Sequence, residues 1–249
     1  MQLSLMTWPE VEARLKRGAG VMLPMGSTEQ HGPMGLIGTD AICAEAFALE
    51  AAKQCDAIVA PPMTYTPAPF NTAFPGTISL DATVFETCLK QVCAGLLDQG
   101  FRGVFLVNGH GANIEPARAV ADSFPKGAIH LQSWWDPPEM GQMRTEMFGD
   151  WEGMHATPSE VAVTQTLHGT KPAGRANRPP EKLSADYIRN HSGDRHGPPD
   201  EHRKAFPDGR VGSHSALATP DLGEQLLKAG AKALARDYKE FCEERHAIS

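Results

Sequence analysis

The sequence predicts a single α/β domain of three layers, with helices on both faces of a mostly parallel sheet. Two observations carry that expectation. Short apolar runs such as VMLPM and VFLV lack the polar alternation of half-exposed strands and resemble strands covered on both faces. These runs alternate with Ala- and Leu-rich segments of helical period, the pattern of strand–helix–strand units. The 249 residues allow one sizeable core, and no internal repeat or linker divides them.

Residues 7–17, TWPEVEARLKR, read as a short helix capped by Thr7, with Pro9 tolerated in its first turn. GVMLPM reads as a buried strand. TDAICAEAFALEAAKQC has helical composition, with Thr39 or Asp40 as cap and Ile42, Ala46, Leu49 and Lys53 near one face. AIVAPPMTY is the next strand, ended by prolines, and TPAPFNTAFPGTISLD is a loop. A helix follows from Asp81 to just before Gly100. RGVFLV is a covered strand, IEPARAVADSF a helix, IHLQSWW a strand and SEVAVTQTLHG a helix. A long amphipathic helix, DLGEQLLKAGAKALARDYKEFCEER, closes the order. Residues 171–213 are rich in Pro, Gly, His, Arg and Asp and weakly periodic. They are expected to form a long loop excursion, a lid or a subunit contact, with His191, His196, His202 and His214 exposed to solvent.

Composition excludes several classes. A net charge of −7 without a basic run argues against a nucleic-acid partner. No apolar stretch reaches membrane-spanning length, and the N-terminus lacks the pattern of a secretory signal. Cys43, Cys55, Cys88, Cys93 and Cys242 form no CxxC pair, so reduced, buried thiols and a cytoplasmic location are expected. There is no GxSxG elbow for a serine hydrolase, and neither GK[ST] nor GxGxxG for a phosphate-cradling loop.

The polar clusters sit where strands or loops give way to helices. In GSTEQHGPMGLIGTD, residues 26–40, Glu29 and His31 are two apart and share a side of an extended segment, suited to a metal. Asp40, at the start of a helix, reads equally well as an N-cap. NGHGAN, residues 108–113, follows a covered strand, and ligands of parallel sheets bind at that end. DWEGMHATPSE, residues 150–160, offers Trp151, His155 and Glu160; the last also suits the first turn of a helix.

Taken in order, TEQHG, GTD, FPGTISLD, NGHGAN and W-x3-H-x4-E resemble the creatininase family of metal-dependent amidohydrolases. The resemblance runs from TWPEVEARL to VGSHSALATPDLGEQLL, most of the chain. It implies an α/β fold, homohexameric assembly and two divalent metals, usually zinc, manganese or iron. Glu29, Asp40 and His110 would hold one metal, and His31 and Asp40 the other, with Asp40 bridging. The loop of creatininase itself reads like NGHYEN, and its glutamate is a further ligand. Here that position is Ala112, which argues against creatinine as substrate and leaves the second metal short of a ligand; Glu160 is the candidate replacement. A metal pair acidifies water and polarises an amide carbonyl. His155 would shuttle the proton to the leaving nitrogen, with Glu160 also counted in the catalytic set. Trp151, Phe74, Gly76 and Thr77 would line the substrate pocket. The expected activity is hydrolysis of a C–N bond in a small cyclic or linear amide. Alternatives are the same centre acting on a peptide, a formamide or a C–C bond, and a non-catalytic small-molecule binder.

Overall fold

A strand buried on both faces needs apolar side chains at successive positions, and two strands of this chain meet that demand. β1 (Val21–Met25) and β3 (Val104–Asn108) are buried at every residue. With β2 (Ile58–Val59) and β4 (Ile129–Ser133) they form an all-parallel sheet of order β2-β1-β3-β4 in the computed structural model, which describes residues 1–248. Alternate side chains point to opposite faces. Val21, Leu23 and Met25 pack with Phe85, Leu89 and Cys93 of α3 (Ala82–Asp98) and Ala117 and Val120 of α4 (Ile114–Asp122). Met22, Phe105 and Val107 pack on the other face with Phe47, Ala48 and Ala51 of α2 (Thr39–Cys55). That second layer also holds Met140 of α5 (Pro138–Phe148), Val163 of α6 (Pro158–His168) and Leu234 of α9 (Pro220–Ile248). The chain is thus a layered α/β fold with a parallel sheet, as its strand and helix patterns predict.

α1 (Trp8–Leu15) begins at Thr7 in a capping box with Glu10, and Pro9 lies in its first turn. Several expectations are corrected. The N-cap of α2 is Gly38, so neither Thr39 nor Asp40 caps it, and the Asp40 side chain is free for other partners. The buried face of α2 runs through Asp40, Ala44, Phe47, Ala48 and Ala51; Lys53 is exposed, and Ile42 and Leu49 are only partly buried. β2 is cut to two residues because Pro61 and Pro62 follow and cannot donate to a ladder. α5 has no counterpart in the sequence reading, since PEMGQMRTEMF carries little amphipathic contrast. Cys43 and Cys93 are buried, but Cys88 is exposed; all five thiols are free. Residues 171–213 carry a 3-10 turn (Gly174–Asn177), α7 (Ala185–His191) and α8 (Pro199–Ala205). His196 and His202 are buried rather than exposed, packed around Phe70 with ring centroids 4.8 and 5.0 Å from it. Among the described residues no helix is long and apolar enough to cross a membrane.

Candidate metal centre

Strand order places the polar loops together. From β1 the chain crosses to β2 on one side, and from β3 it crosses to β4 on the other, so the connections part between β1 and β3. Ligands of such sheets bind in the crevice at this switch point, beyond the carboxyl ends of the strands. Met25 and Asn108 are paired in register, so the loops after them leave the sheet side by side. Each loop begins with a glycine for a steric reason. A Cβ on Gly26 would lie 2.4 Å from the Asp40 carbonyl carbon, and one on Gly109 would lie 2.3 Å from the Asp40 carbonyl oxygen. Both glycines let the first turn of α2 press onto the strand ends.

Asp40 therefore stands between the two loops. Its Oδ1 is 2.8 Å from His31 Nε2, and its Oδ2 is 2.8 Å from His110 Nδ1 while accepting from Ser27 Oγ at 2.8 Å. The other imidazole nitrogens face carbonyls, which only an N–H can satisfy: His31 Nδ1 to Glu29 O at 3.1 Å, His110 Nε2 to Pro67 O at 2.7 Å. This is the orientation that metal-ligating histidines adopt, leaving the inner nitrogen for a cation. Glu29 is fully buried; Asn71 Nδ2 donates to its Oε2 at 2.7 Å, while Oε1 has no hydrogen-bond partner. That oxygen lies 3.1 Å from His110 Nδ1 and 3.8 Å from His155 Nδ1, and a buried carboxylate so placed calls for a cation, an imidazolium or a metal. The ligand atoms fall into compact groups within 4.8 Å: Glu29, Asp40 and His110; His31, Asp40 and Glu160; and Glu29, His31 and His155. Oxygen and imidazole donors of this kind fit a divalent metal such as zinc or manganese.

Charge in the cluster follows from burial and proximity. Burial opposes the imidazolium of His31, but Asp40, Glu160 and Glu29 outweigh it and raise His31 to about 10. Burial likewise opposes charge on His110, yet Glu29 and Asp40 raise it well above the usual histidine range. Burial raises Asp40, but the two histidines hold it well below the ordinary carboxylate range. Burial pushes Glu160 up to about 7, opposed by His31 and reinforced by Asp40. Burial also lowers His155, with Glu29 only partly compensating, so this imidazole is neutral near pH 7. Its Nε2 donates to Gln30 O at 2.7 Å, which turns Nδ1 toward Glu29 Oε1, 3.8 Å away.

The remaining residues divide. Glu160 is both the capping-box acid of α6, accepting from Thr157 N at 2.5 Å, and a neighbour of His31 Nε2 at 3.9 Å. Phe74 lines a cavity of 310 Å³ that reaches His31, with Arg175 and Arg203 on its rim. Thr77 and Gly76 meet the metal loop itself: Gln30 N donates to Thr77 Oγ1 at 3.1 Å, and a Cβ on Gly76 would touch Ile37. Trp151 lies against His214 and under the Lys182 ammonium, 4.8 Å from its ring, neither of them in the carboxylate–histidine groups. Sequence reasoning missed Asn71, whose Nδ2 donates to Glu29 Oε2 at 2.7 Å and whose Oδ1 accepts from Gln30 Nε2 at 2.7 Å. Its position in PFNTAFPG, a polar residue between two phenylalanines and two prolines, was the available signal.

Known proteins resemble this chain in sequence and fold. The Creatininase family model, described as creatinine amidohydrolase, matches residues 4–238. The chain is 36% identical over 157 residues to a 3-dehydro-scyllo-inosose hydrolase of Thermotoga maritima, covering 61% of this chain and 50% of that protein. It is 41% identical over 108 residues to a mycofactocin precursor peptide peptidase of Mycolicibacterium smegmatis, covering 41% of this chain and 43% of that protein. The chain thus spans about half the length of these curated relatives. A solved structure described as "Creatininase Mn" shares the fold with a TM-score of 0.72 at 23% identity, covering 96% of this chain and 97% of that one. With a match across nearly its whole length, and with the strand-edge loops juxtaposed as its motifs imply, the chain belongs to the creatininase family.

Proposed function

We propose that this protein is a metal-dependent hydrolase that cleaves a C–N bond of a small cyclic or linear amide. The observation that carries the proposal is the gathering of Glu29, Asp40, His31 and His110 at one buried sheet edge, with the outer nitrogens of both histidines committed to carbonyls and Glu29 Oε1 making no hydrogen bond, 3.1 Å from His110 Nδ1. Glu29, Asp40 and His110 would hold one divalent ion, and His31, Asp40 and Glu160 the other, with Asp40 shared. When bound, such a pair acidifies water and polarises an amide carbonyl.

The chain's own groups supply the rest. His155 is neutral, and its Nδ1 faces the cluster, so it can take a proton there and deliver it to the leaving nitrogen. Asn71 holds Glu29 Oε2 and, through Gln30, fixes the loop that carries His31. Phe74 forms one wall of the cavity above His31, and the guanidinium groups of Arg175 and Arg203 favour a substrate with acidic or carbonyl oxygens at its outer end. Gly76 and Thr77 act by shaping the metal loop; Trp151 would close the outer wall with His214. Leu5 and Trp8, 78% and 76% exposed, offer apolar surface that a homo-oligomer would cover, in keeping with a cytoplasmic hexamer.

The test is elemental analysis of protein purified without chelator or histidine tag, followed by an amide screen. About two equivalents of zinc, manganese or iron per chain, with chelator-sensitive turnover, is the expected result. A chain that takes up no metal even after add-back would sink the reading and leave a small-molecule binder in its place. The relatives named for an inosose and for a peptide support adding a cyclic ketone and short peptides to the screen.

A further inference from the structure

Two of the carboxylate–histidine groups share Asp40. Glu160 joins the His31 group, from α6. The other group is Glu29, Asp40 and His110. There the structure holds another acid. Asp194 follows α7 in residues 171–213 and sits in the left-handed region, φ 57°, with a side chain only 10% exposed. Its Oδ2 accepts from the Ala112 amide at 2.9 Å and lies 3.6 Å from His110 Nδ1, the nitrogen that faces Glu29 and Asp40. Its Oδ1 lies 3.6 Å from His196 Nε2, and its ion-pair partners among the described residues are these two imidazoles. Gly111 makes room for it, since a Cβ there would stand 2.2 Å from Asp194 Oδ2. Asp194 is at the rim of the three-residue group, whose ligand atoms lie within 4.8 Å of one another, and meets it at His110.

A carboxylate this buried, with no Lys or Arg against it, is expensive unless a cation stands nearby. Glu29 Oε1 on the same group is buried, makes no hydrogen bond and shares His110 Nδ1, 3.1 Å away, with Asp194. We propose that Asp194 is a further carboxylate ligand of the ion held by Glu29, Asp40 and His110, supplied by the excursion of residues 171–213. The inference rests on the metal-hydrolase reading, and it makes loading of that ion and ordering of the excursion one event.

The experiment uses the full chain, stripped with chelator and titrated with Zn²⁺ against a chromophoric competitor, with stoichiometry read by mass spectrometry. Asp194→Asn suits it because asparagine tolerates the left-handed conformation and still accepts from the Ala112 amide. The expected result is about two ions on the wild type and a loss of at least ~10–100-fold in affinity for one of them in the variant, the size seen when a metal's supporting group is removed. Unchanged affinity at both sites would overturn the inference while leaving the hydrolase reading intact; a wild type that binds no Zn²⁺ would overturn that reading instead. Should the variant fail to fold, hydrogen exchange on the wild type decides. Zn²⁺ is expected to slow exchange of residues 192–196, and no change there would refute the ligand role.

Discussion

The loops at the strand ends and the excursion of residues 171–213 both converge on one cluster, but by different physics. Loops 26–40 and 108–113 leave adjacent strands in register, so the sheet delivers Glu29, His31 and His110 to the same edge. The excursion arrives by packing. Val211 bridges to His155, Ser213 Oγ donates to the His155 carbonyl at 2.6 Å, Gln30 Nε2 donates to the Gly209 carbonyl at 3.0 Å, and His196 and His202 close around Phe70. The contrast teaches that strand register places the first set of side chains, while hydrogen bonds and ring packing place the second.

The largest expected effect attacks the shared residue. Asp40→Ala should release both ions and abolish turnover; full metal retention by mass spectrometry would end the bridging assignment. Next comes the backbone seat beneath it. Gly109→Ala places a methyl 2.3 Å from the Asp40 carbonyl oxygen, and overpacking of this kind costs about 1–3 kcal/mol. A lowered Tm together with weakened metal binding is expected, and wild-type values for both would show that the α2 start is not held there.

His155→Ala divides the regions more finely, because His155 is held by the excursion but faces the strand-end cluster. It should keep its metal and lose about 10²–10⁴-fold in kcat, the usual worth of a general acid–base group. Metal loss with a parallel fall in activity would recast His155 as a ligand, in line with its grouping with Glu29 and His31.

Protonation gives a smaller, signed test. In the metal-stripped chain, His31 is raised from 6.5 to about 10 and Glu160 from 4.5 to about 7. A raised folded-state pKa gives stability that is complete below the unfolded value and is lost as pH rises through the folded one. The stripped protein should therefore lose Tm between about pH 7 and pH 10, where His31 titrates and the lowered His155 and His202 are already neutral. Metal must displace these protons, so affinity should rise over the same range, with proton release visible by calorimetry in buffers of different ionisation enthalpy. A Tm of the stripped protein that climbs across this window would contradict the assignment. The smallest effect belongs to Trp151→Phe, whose ring contacts are His214 and Lys182 rather than the carboxylate–histidine groups. Metal content should be unchanged and stability altered by no more than about 0.5 kcal/mol, checked by titration and thermal melts.

Much of this was legible in the residues. Glu29, His31, Asp40, His110, His155 and Glu160 were all named from motif order, because each follows a strand or opens a helix and so carries a local signature. Apolar runs exposed β1 and β3, and Gly100 and Asp81 marked the ends of α3. α5 escaped because its pattern is weak. Asn71 and Asp194 escaped because a polar loop residue looks the same in sequence whether it faces water or a buried carboxylate.

The sequence by itself determined the alternation of strand and helix, the covered sheet and the residue types gathered after the strands, since period, turn glycines and acid–histidine spacing act over a few residues. Only the tertiary structure decided that Asp40 serves both histidines rather than capping α2, that Glu160 reaches His31, and that Asp194 returns to His110. Those pairings join positions far apart in the chain, and they depend on strand order and loop packing that no local pattern encodes.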